Sequence, residues 1–278
     1  MAYKDLLVHL DTSRYCKARL TLAESLARRF DAHLTGIYVM PPPVLSPLLA
    51  DQFPPKVLEE ADAQLAQKRD RVQAEFVSAV KALGAKSTWI EGEVDEVEVV
   101  SRAARHADLL LMGQTPPRDS VPGIPSDFPE RVLMGSGRPA LLVPYAGSFK
   151  SVGERVLIAW NASPQSARAV AAALPFLAAA RHIEVLAIAT DKEDDEALRQ
   201  SAVATVQHLS RHGIKAEAHH IIATDIGAGD MLLSRAADEA ADLVVMGVYG
   251  HSRLRELVLG GVSRDLLQRM TVPLFMVH

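Results

Sequence analysis

The chain has 278 residues, enough for one large domain or two ordinary ones, and its 49% hydrophobic and 23% charged content is that of a soluble globular fold. A net charge of −4 supplies no basic field for nucleic acid or an anionic membrane. The single cysteine, Cys16, excludes an internal disulfide and a cysteine-based metal cage.

The opening "MAYKDLLVHLD" is interrupted at once by charged residues, unlike a signal peptide. The longest apolar run, Val170 to Ala180, falls short of the ~20 residues a membrane span requires. The expectation is a cytoplasmic protein. "DLLVHLDTS" (Asp5 to Ser13) predicts a first strand and its exit turn, with Cys16 following on a helix near a domain surface. "LTGIYVM" (Leu34 to Met40) is a second strand. The proline-rich "PPPVLSPLLADQFPPK" comes next, and its Leu45, Leu48, Leu49 and Phe53 suit a packed loop, a cover over a nearby pocket or a partner surface. A long helical stretch, "VLEEADAQLAQKRDRVQAEFVSAVKALG", precedes the strand "ADLLLMG" (Ala107 to Gly113). "GSGRP" (Gly135 to Pro139) reads as a helix C-cap and turn, and "RPALLVPY" (Arg138 to Tyr145) as a last strand. The polar "YAGSFKSVGE" (Tyr145 to Glu154) is a short linker that divides the chain into 1–147 and 152–278.

The second half opens with "RVLIAWNAS" (Arg155 to Ser163), nearly all apolar as a strand buried on both faces should be. Ser163 is placed to cap the following helix and Pro164 suits its first turn. Strand "EVLAIAT" (Glu184 to Thr190), the acidic "DKEDDE" and a helix ending before Gly213 follow. Strand "KAEAHHII" carries His219 and His220, whose side chains should face opposite ways and share no metal. A helix over "MLLSRAADEA", strand "DLVVMG", a glycine-bearing segment and strand "PLFMV" complete the half.

These elements are written twice. "DLLVHLDTS" answers "RVLIAWNAS", and "LTGIYVM" answers "EVLAIAT", both at an offset of 150. "ADLLLMG" answers "ADLVVMG", and the two last strands answer each other, at an offset of 134. Strands alternating with helices predict, in each copy, a parallel sheet covered on both faces. Ligands of such sheets sit beyond the carboxyl ends of the strands.

One segment leaves a strand at that end: "GVYGHSRLRELVLGG", Gly247 to Gly261. Gly247 and Gly250 bracket a turn, and Gly260 and Gly261 precede a helix beginning near Val262. Helix-start amides attract anions, Ser263 adds a hydroxyl, and a residue without a side chain lets phosphate oxygens approach. Turn and packing glycines are the plainer account of the same pattern. The segment has no Walker lysine.

Gly247-x2-Gly250-x9-Gly260, followed by Gly261-Val262-Ser263, resembles the ATP-binding signature of the universal stress protein (UspA) family, and the resemblance runs over both halves as two tandem domains. It implies an α/β fold of two Rossmann-like domains of the adenine nucleotide alpha hydrolase type, each a five-stranded parallel sheet with helices on both faces. It also implies pairing through the last strands, either within the chain as a pseudo-dimer or between chains as a homodimer. The implied function is stress-response regulation through bound ATP, with or without Mg, and through a protein partner the sequence does not identify. Turnover would be absent or slow, so no catalytic residue and no metal site is assigned. By position, Ile188 and Met246 would flank the adenine, and Asn161 would face the adenosine. Gly247 and Gly250 would shape the ribose–phosphate turn, and Gly260, Gly261, Val262 and Ser263 would hold the phosphates. Asn161 stands where the family has Asp, and Gly261 where it has Ser or Thr. In the first copy Ser126, Asp127, Phe128 and Pro129 replace the phosphate segment, bringing a carboxylate and deleting an amide, so that copy is expected to bind no ATP. The alternatives are a ligand-free adaptor with vestigial pockets, a weak ATPase, or an adenylyl-transferring enzyme; "DTSRY" and "NASPQ" lack the loops such enzymes carry after the first strand.

Overall fold

The computed structural model describes residues 2–40, 54–83, 86–93, 95–116, 124–189, 195–223, 227–248 and 261–278. In the first half, β1 (Asp5–Leu10), β2 (His33–Met40), β3 (Ser87–Glu93), β4 (Leu109–Gly113) and β5 (Ala140–Val143) alternate with α1 (Cys16–Phe30), α2 (Pro55–Val80), α3 (Glu96–Ala104) and α4 (Phe128–Ser136). In the second half, β6 (Arg155–Trp160), β7 (His182–Ala189), β8 (Glu217–Ile222), β9 (Leu243–Gly247) and β10 (Leu274–Val277) alternate with α5 (Pro164–Leu177), α6 (Asp195–Arg211), α7 (Ala228–Asp238) and α8 (Gly261–Arg269).

All ten strands form one sheet, ordered β3-β2-β1-β4-β5-β10-β9-β6-β7-β8. Within each half every pairing is parallel; β5 and β10 meet antiparallel, Leu141 opposite Phe275. The two halves therefore have the same strand order, related by a pseudo-twofold axis between their last strands. The pairing expected of the last strands is made within the chain.

Apolar runs explain the buried strands. Leu109 to Met112 and Leu274 to Met276 are wholly buried, because helices cover both faces. One face carries α1, α2, α5 and α6, the other α3, α4, α7 and α8. The first of these cores crosses the junction: Phe176 lies 5.3 Å from Phe30, 5.6 Å from Tyr3 and 5.9 Å from Phe275 between ring centres. Tyr3 donates its hydroxyl to Ala172 O at 2.7 Å, and Arg29 donates to Val152 O of the linker at 2.6 Å. The halves thus share one packed seam.

Local signals hold where they were read. Ser163 Oγ accepts from Ser166 N at 3.1 Å with Pro164 opening α5. Gly213 (φ +75°) and Gly137 (φ +65°) stand in the left-handed conformation just past α6 and α4. The "AD" before β4 and β9 also has a structural reason. The Asp108 carboxylate accepts from the amides of Lys4 and Asp5, and that of Asp242 from those of Gly153, Glu154 and Arg155, so each ties the chain at the foot of β1 or β6. The histidines diverge as expected: His219 Nδ1 meets Arg235 at 3.0 Å, while His220 Nε2 lies 2.8 Å from Asp195.

Two expectations need correction. The offset of 150 holds for β1 and β6 but not for the next strand: Leu6 pairs with Leu34 and Val156 with Ile183, an offset of 149. Ile188 therefore corresponds to Val39, and both face the α3/α7 side of the sheet. Cys16 is not near a surface but 4% exposed, on the inward stripe of α1 with Leu20, Ala23 and Ala27. Burial pushes its thiol up to about 11, with Arg19 opposing. Disulfide-exchange reagents at pH 8 should accordingly label the native protein roughly a hundredfold more slowly than the urea-unfolded chain. Equal rates would return Cys16 to the surface.

Candidate functional site

Each strand delivers the chain to the carboxyl-end rim of its half. At the end of β6, Asn161 Oδ1 accepts from Ser163 N at 3.2 Å and from Ser163 Oγ at 2.6 Å. This side-chain turn accommodates Ala162 at φ +57°. Among the described residues no protein group engages the amide nitrogen of Asn161, so an exposed N–H donor is left at the rim.

Ala159 pairs with Met246 across the β6–β9 ladder, and Ile188 lies on the same face nearer the end of β7. Met246 is 5% exposed and Ile188 half-buried, so they border the α7/α8 side of the rim with only the small Ala159 between their strands.

Gly247 closes β9. A Cβ there would stand 2.4 Å from Gln165 C and Ser166 N, so β9 and the first turn of α5 pack backbone to backbone. The structure thus supplies a packing reason for this glycine. Gly250 and Gly260 lie outside the described residues. Gly261 opens α8, followed by Val262 and Ser263, and Ser263 is 7% exposed. Because β9 and β10 are parallel, α8 must start at the rim and run back to the foot of β10. Its leading amides lack intrahelical partners, as in any helix.

The first half has the same rim, with charged and aromatic side chains set into its β1 end and an open cleft of about 630 Å³ beside it, bordered by Gln114, Ser126, Pro129, Glu130 and Leu267. On β1, His9 occupies the place of Ala159, and its Nε2 meets Glu96 Oε1 at 2.5 Å in a pair almost wholly buried. Phe128, where Val262 stands in the second half, packs on the His9 ring at 4.6 Å. On α1, Arg19 occupies the place of Ala169. Its Nη2 donates to Asp11 Oδ2 at 2.8 Å and its Nε to His9 O at 2.7 Å, while Asp11 Oδ1 accepts from Ser13 N at 2.8 Å. A Cβ on Gly113 would stand 2.1 Å from Arg19 Nη1, so the guanidinium lies directly against the end of β4. Burial alone would raise the Asp11 carboxyl, but Arg19, His9 and the hydrogen bonds from Ser13 and Arg19 outweigh it and hold it well below the usual carboxylate range. The cleft bordered by His9, Asp11, Arg19, Gln114 and Tyr145 keeps about 30 Å³ free, room for a water or two.

At α4, Asp127 and Glu130 surround the helix start and Pro129 removes an amide. Burial, and then the neighbouring Asp127, push the Glu130 carboxyl up, while the hydrogen bond from its own backbone amide and, less, Arg264 of the second half oppose them. The sequence pointed to Ser126, Asp127 and Pro129 as grounds for expecting no phosphate at the first rim. It missed His9 and Arg19, although comparing the copies at offset 150 sets each against an alanine.

One further polar cluster lies elsewhere. His182, Glu184 and Glu239 have ligand atoms within 4.8 Å of one another, near the foot of β7. The cluster already holds its cations: Arg235 donates to both Glu184 oxygens at 2.8 Å and lies 3.0 Å from Glu239, and Arg155 lies 3.3 Å from Glu239.

Two parallel five-stranded units covered by helices on both faces, with a helix starting at the rim after the fourth strand, define a tandem α/β protein of the Rossmann-like class. Comparison with known proteins makes this specific. The family model of the universal stress protein family matches residues 2–142 and again 153–278, and the chain belongs to that family. A universal stress protein of Synechocystis, Slr1230, is 26% identical over 149 residues, which span 52% of this chain and 48% of that protein. The chain thus matches about half the length of this curated relative. Among solved structures, a universal stress protein from Archaeoglobus fulgidus superposes over 98% of this chain and 97% of its own at a TM-score of 0.75 and 18% identity. A functionally unknown protein from Pseudomonas aeruginosa does so over 99% and 92%, at 0.62 and 13%. Among the described residues, no helix is long and apolar enough to cross a membrane.

Proposed function

We propose that the second half binds one adenine nucleotide, ATP with Mg²⁺, and that the protein acts as a cytoplasmic stress-response regulator whose state depends on that occupancy rather than on turnover. The observation that carries this reading is the asymmetry between two otherwise matching rims. Where the first half buries His9, Glu96 and Arg19, the second has Ala159 and Ala169, an exposed Asn161 amide and an α8 that starts with glycine instead of aspartate. In this reading Ile188 and Met246 flank the adenine and the Asn161 amide donates to the adenosine. The amides of Gly261, Val262 and Ser263, with Gly250 and Gly260 before them, hold the phosphates. Asn in place of Asp removes a charge but adds a donor, which suits an acceptor on the base or ribose.

Titration calorimetry with Mg–ATP should give a stoichiometry near one per chain, and mass spectrometry of ligand extracted from purified protein should show an adenine nucleotide. A stoichiometry near two would overturn the reading of the first rim. Absence of binding and of extractable nucleotide would leave the ligand-free adaptor as the function.

A further inference from the structure

The pseudo-twofold axis has a consequence for this site. Because β5 and β10 run antiparallel, the carboxyl rim of each half lies beside the foot of the other, where the partner half's last helix ends. At that junction Gln114, the residue after β4, is 5% exposed and reaches across. Its Nε2 donates to Leu267 O at 2.9 Å and to Gln268 O at 3.0 Å, and its Oε1 accepts from Tyr145 N at 3.2 Å.

Leu267 and Gln268 are in the last turn of α8, where carbonyls have no intrahelical donor. Such ends are commonly closed by a glycine in the left-handed conformation, but α8 continues into Met270 and Thr271. The first half contrasts: α4 is followed by Gly137 at φ +65°, and its last-turn carbonyls of Leu133 and Gly135 accept from Ser136 Oγ and from Arg105, both of its own half. The tie is also one-directional. Val248 matches Gln114 in the backbone, donating to Val277 O at 2.8 Å as Gln114 donates to Val143 O at 2.9 Å, yet its side chain has no donor to offer α4.

We infer that Gln114 is a positioning residue through which the first half fixes α8 of the second, and so sets the affinity for the phosphates at the start of that helix. The inference rests on the nucleotide reading given above. Its physical content is short-range: α8 has nine residues, about 13 Å, and its Leu266 and Leu267 are seated in the core, so a helix held at its far end presents its leading amides in one place. Freeing that end lets α8 slide and fray, and adenosine, which does not reach the helix start, does not sense the difference.

Gln114→Leu keeps the size and removes both donors. It should weaken Mg–ATP about tenfold while leaving adenosine within about twofold, and hydrogen exchange should quicken at the α8 amides 265–269. Gln114→Lys restores a donor to the two carbonyls, though not the acceptor for Tyr145, and should recover most of the ATP affinity and the protection of α8. A merely structural residue would lower the thermal midpoint and move ATP and adenosine together, and that result overturns the inference. So does an equal effect of Leu and Lys. Wild-type protein that binds neither ligand overturns the nucleotide reading itself. Wild-type binding with an unmoved ATP-to-adenosine ratio in Gln114→Leu overturns only the coupling.

Discussion

Arg19→Met should destabilise the protein by about 3–5 kcal/mol at pH 7, far more than a typical change on an amphipathic helix. The substitution keeps the volume and strips the guanidinium that neutralises Asp11, leaving a carboxylate 9% exposed without its chief counter-charge, and His9 O without its donor. The pH dependence gives the mechanism away. In the wild type the folded Asp11 pKa is depressed, so its contribution is fully present above the unfolded value near ~4 and is lost as pH falls through the lower folded value. In the variant the burial that raises Asp11 has lost its chief opponent, and protonating the carboxyl relieves the strain. The stability gap between the two proteins should therefore narrow as pH is lowered from 7 towards 4. Urea midpoints across that range measure it. The double variant Asp11→Asn with Arg19→Met removes both charges and should recover most of the loss, because a neutral pair needs no partner. A single variant within 1 kcal/mol of wild type, or a gap that does not change with pH, would mean that Arg19 does not hold a buried charge.

That Arg19 escaped the sequence reading shows where such reading stops. The strands were legible because β4, β6 and β9 are unbroken apolar runs, and the helix ends because Ser163, Gly137 and Gly213 are residues with one obvious use at such places. The inward stripe of α1 contains a cysteine and an arginine among polar neighbours, "DTSRYCKAR", so its first turns read as solvated although Cys16 and Arg19 are both buried. The second-strand offset was read one residue off, because an apolar strand gives a textual alignment little to grip, and only the ladder shows which residue shares a face. In the sequence Gln114 is one polar residue after an apolar strand. Its tie to α8 depends on residues more than 150 positions away, brought near by the antiparallel meeting of β5 and β10, which no local pattern encodes.

Gly261→Asp separates the phosphate role of α8 from any structural role of its first residue. At an offset of 134 it copies Asp127 of the first half, so the chain already tolerates an aspartate at the start of the matching helix. For the unliganded fold the change is neutral or favourable: an acid in the first turn complements the helix dipole by about 0.3–1 kcal/mol, and the flexibility of glycine is removed. For a bound phosphate it is the reverse. At ~5 Å and an effective dielectric of about 20, two unit charges repel by roughly 3 kcal/mol, or about a hundredfold in affinity. Mg–ATP should therefore bind about a hundredfold more weakly, while adenosine, carrying no charge, should keep its affinity and the thermal midpoint should hold or rise. Gly261→Asn supplies the same bulk without the charge, and should lose much less ATP affinity than the aspartate. Added salt should narrow the difference between Asn and Asp, since screening weakens only the charged term. If Asn and Asp weaken ATP equally, the glycine serves space alone. If the ratio of ATP to adenosine affinity is the same in wild type and Gly261→Asp, the start of α8 holds no phosphate, and the glycines around it are turn and packing residues.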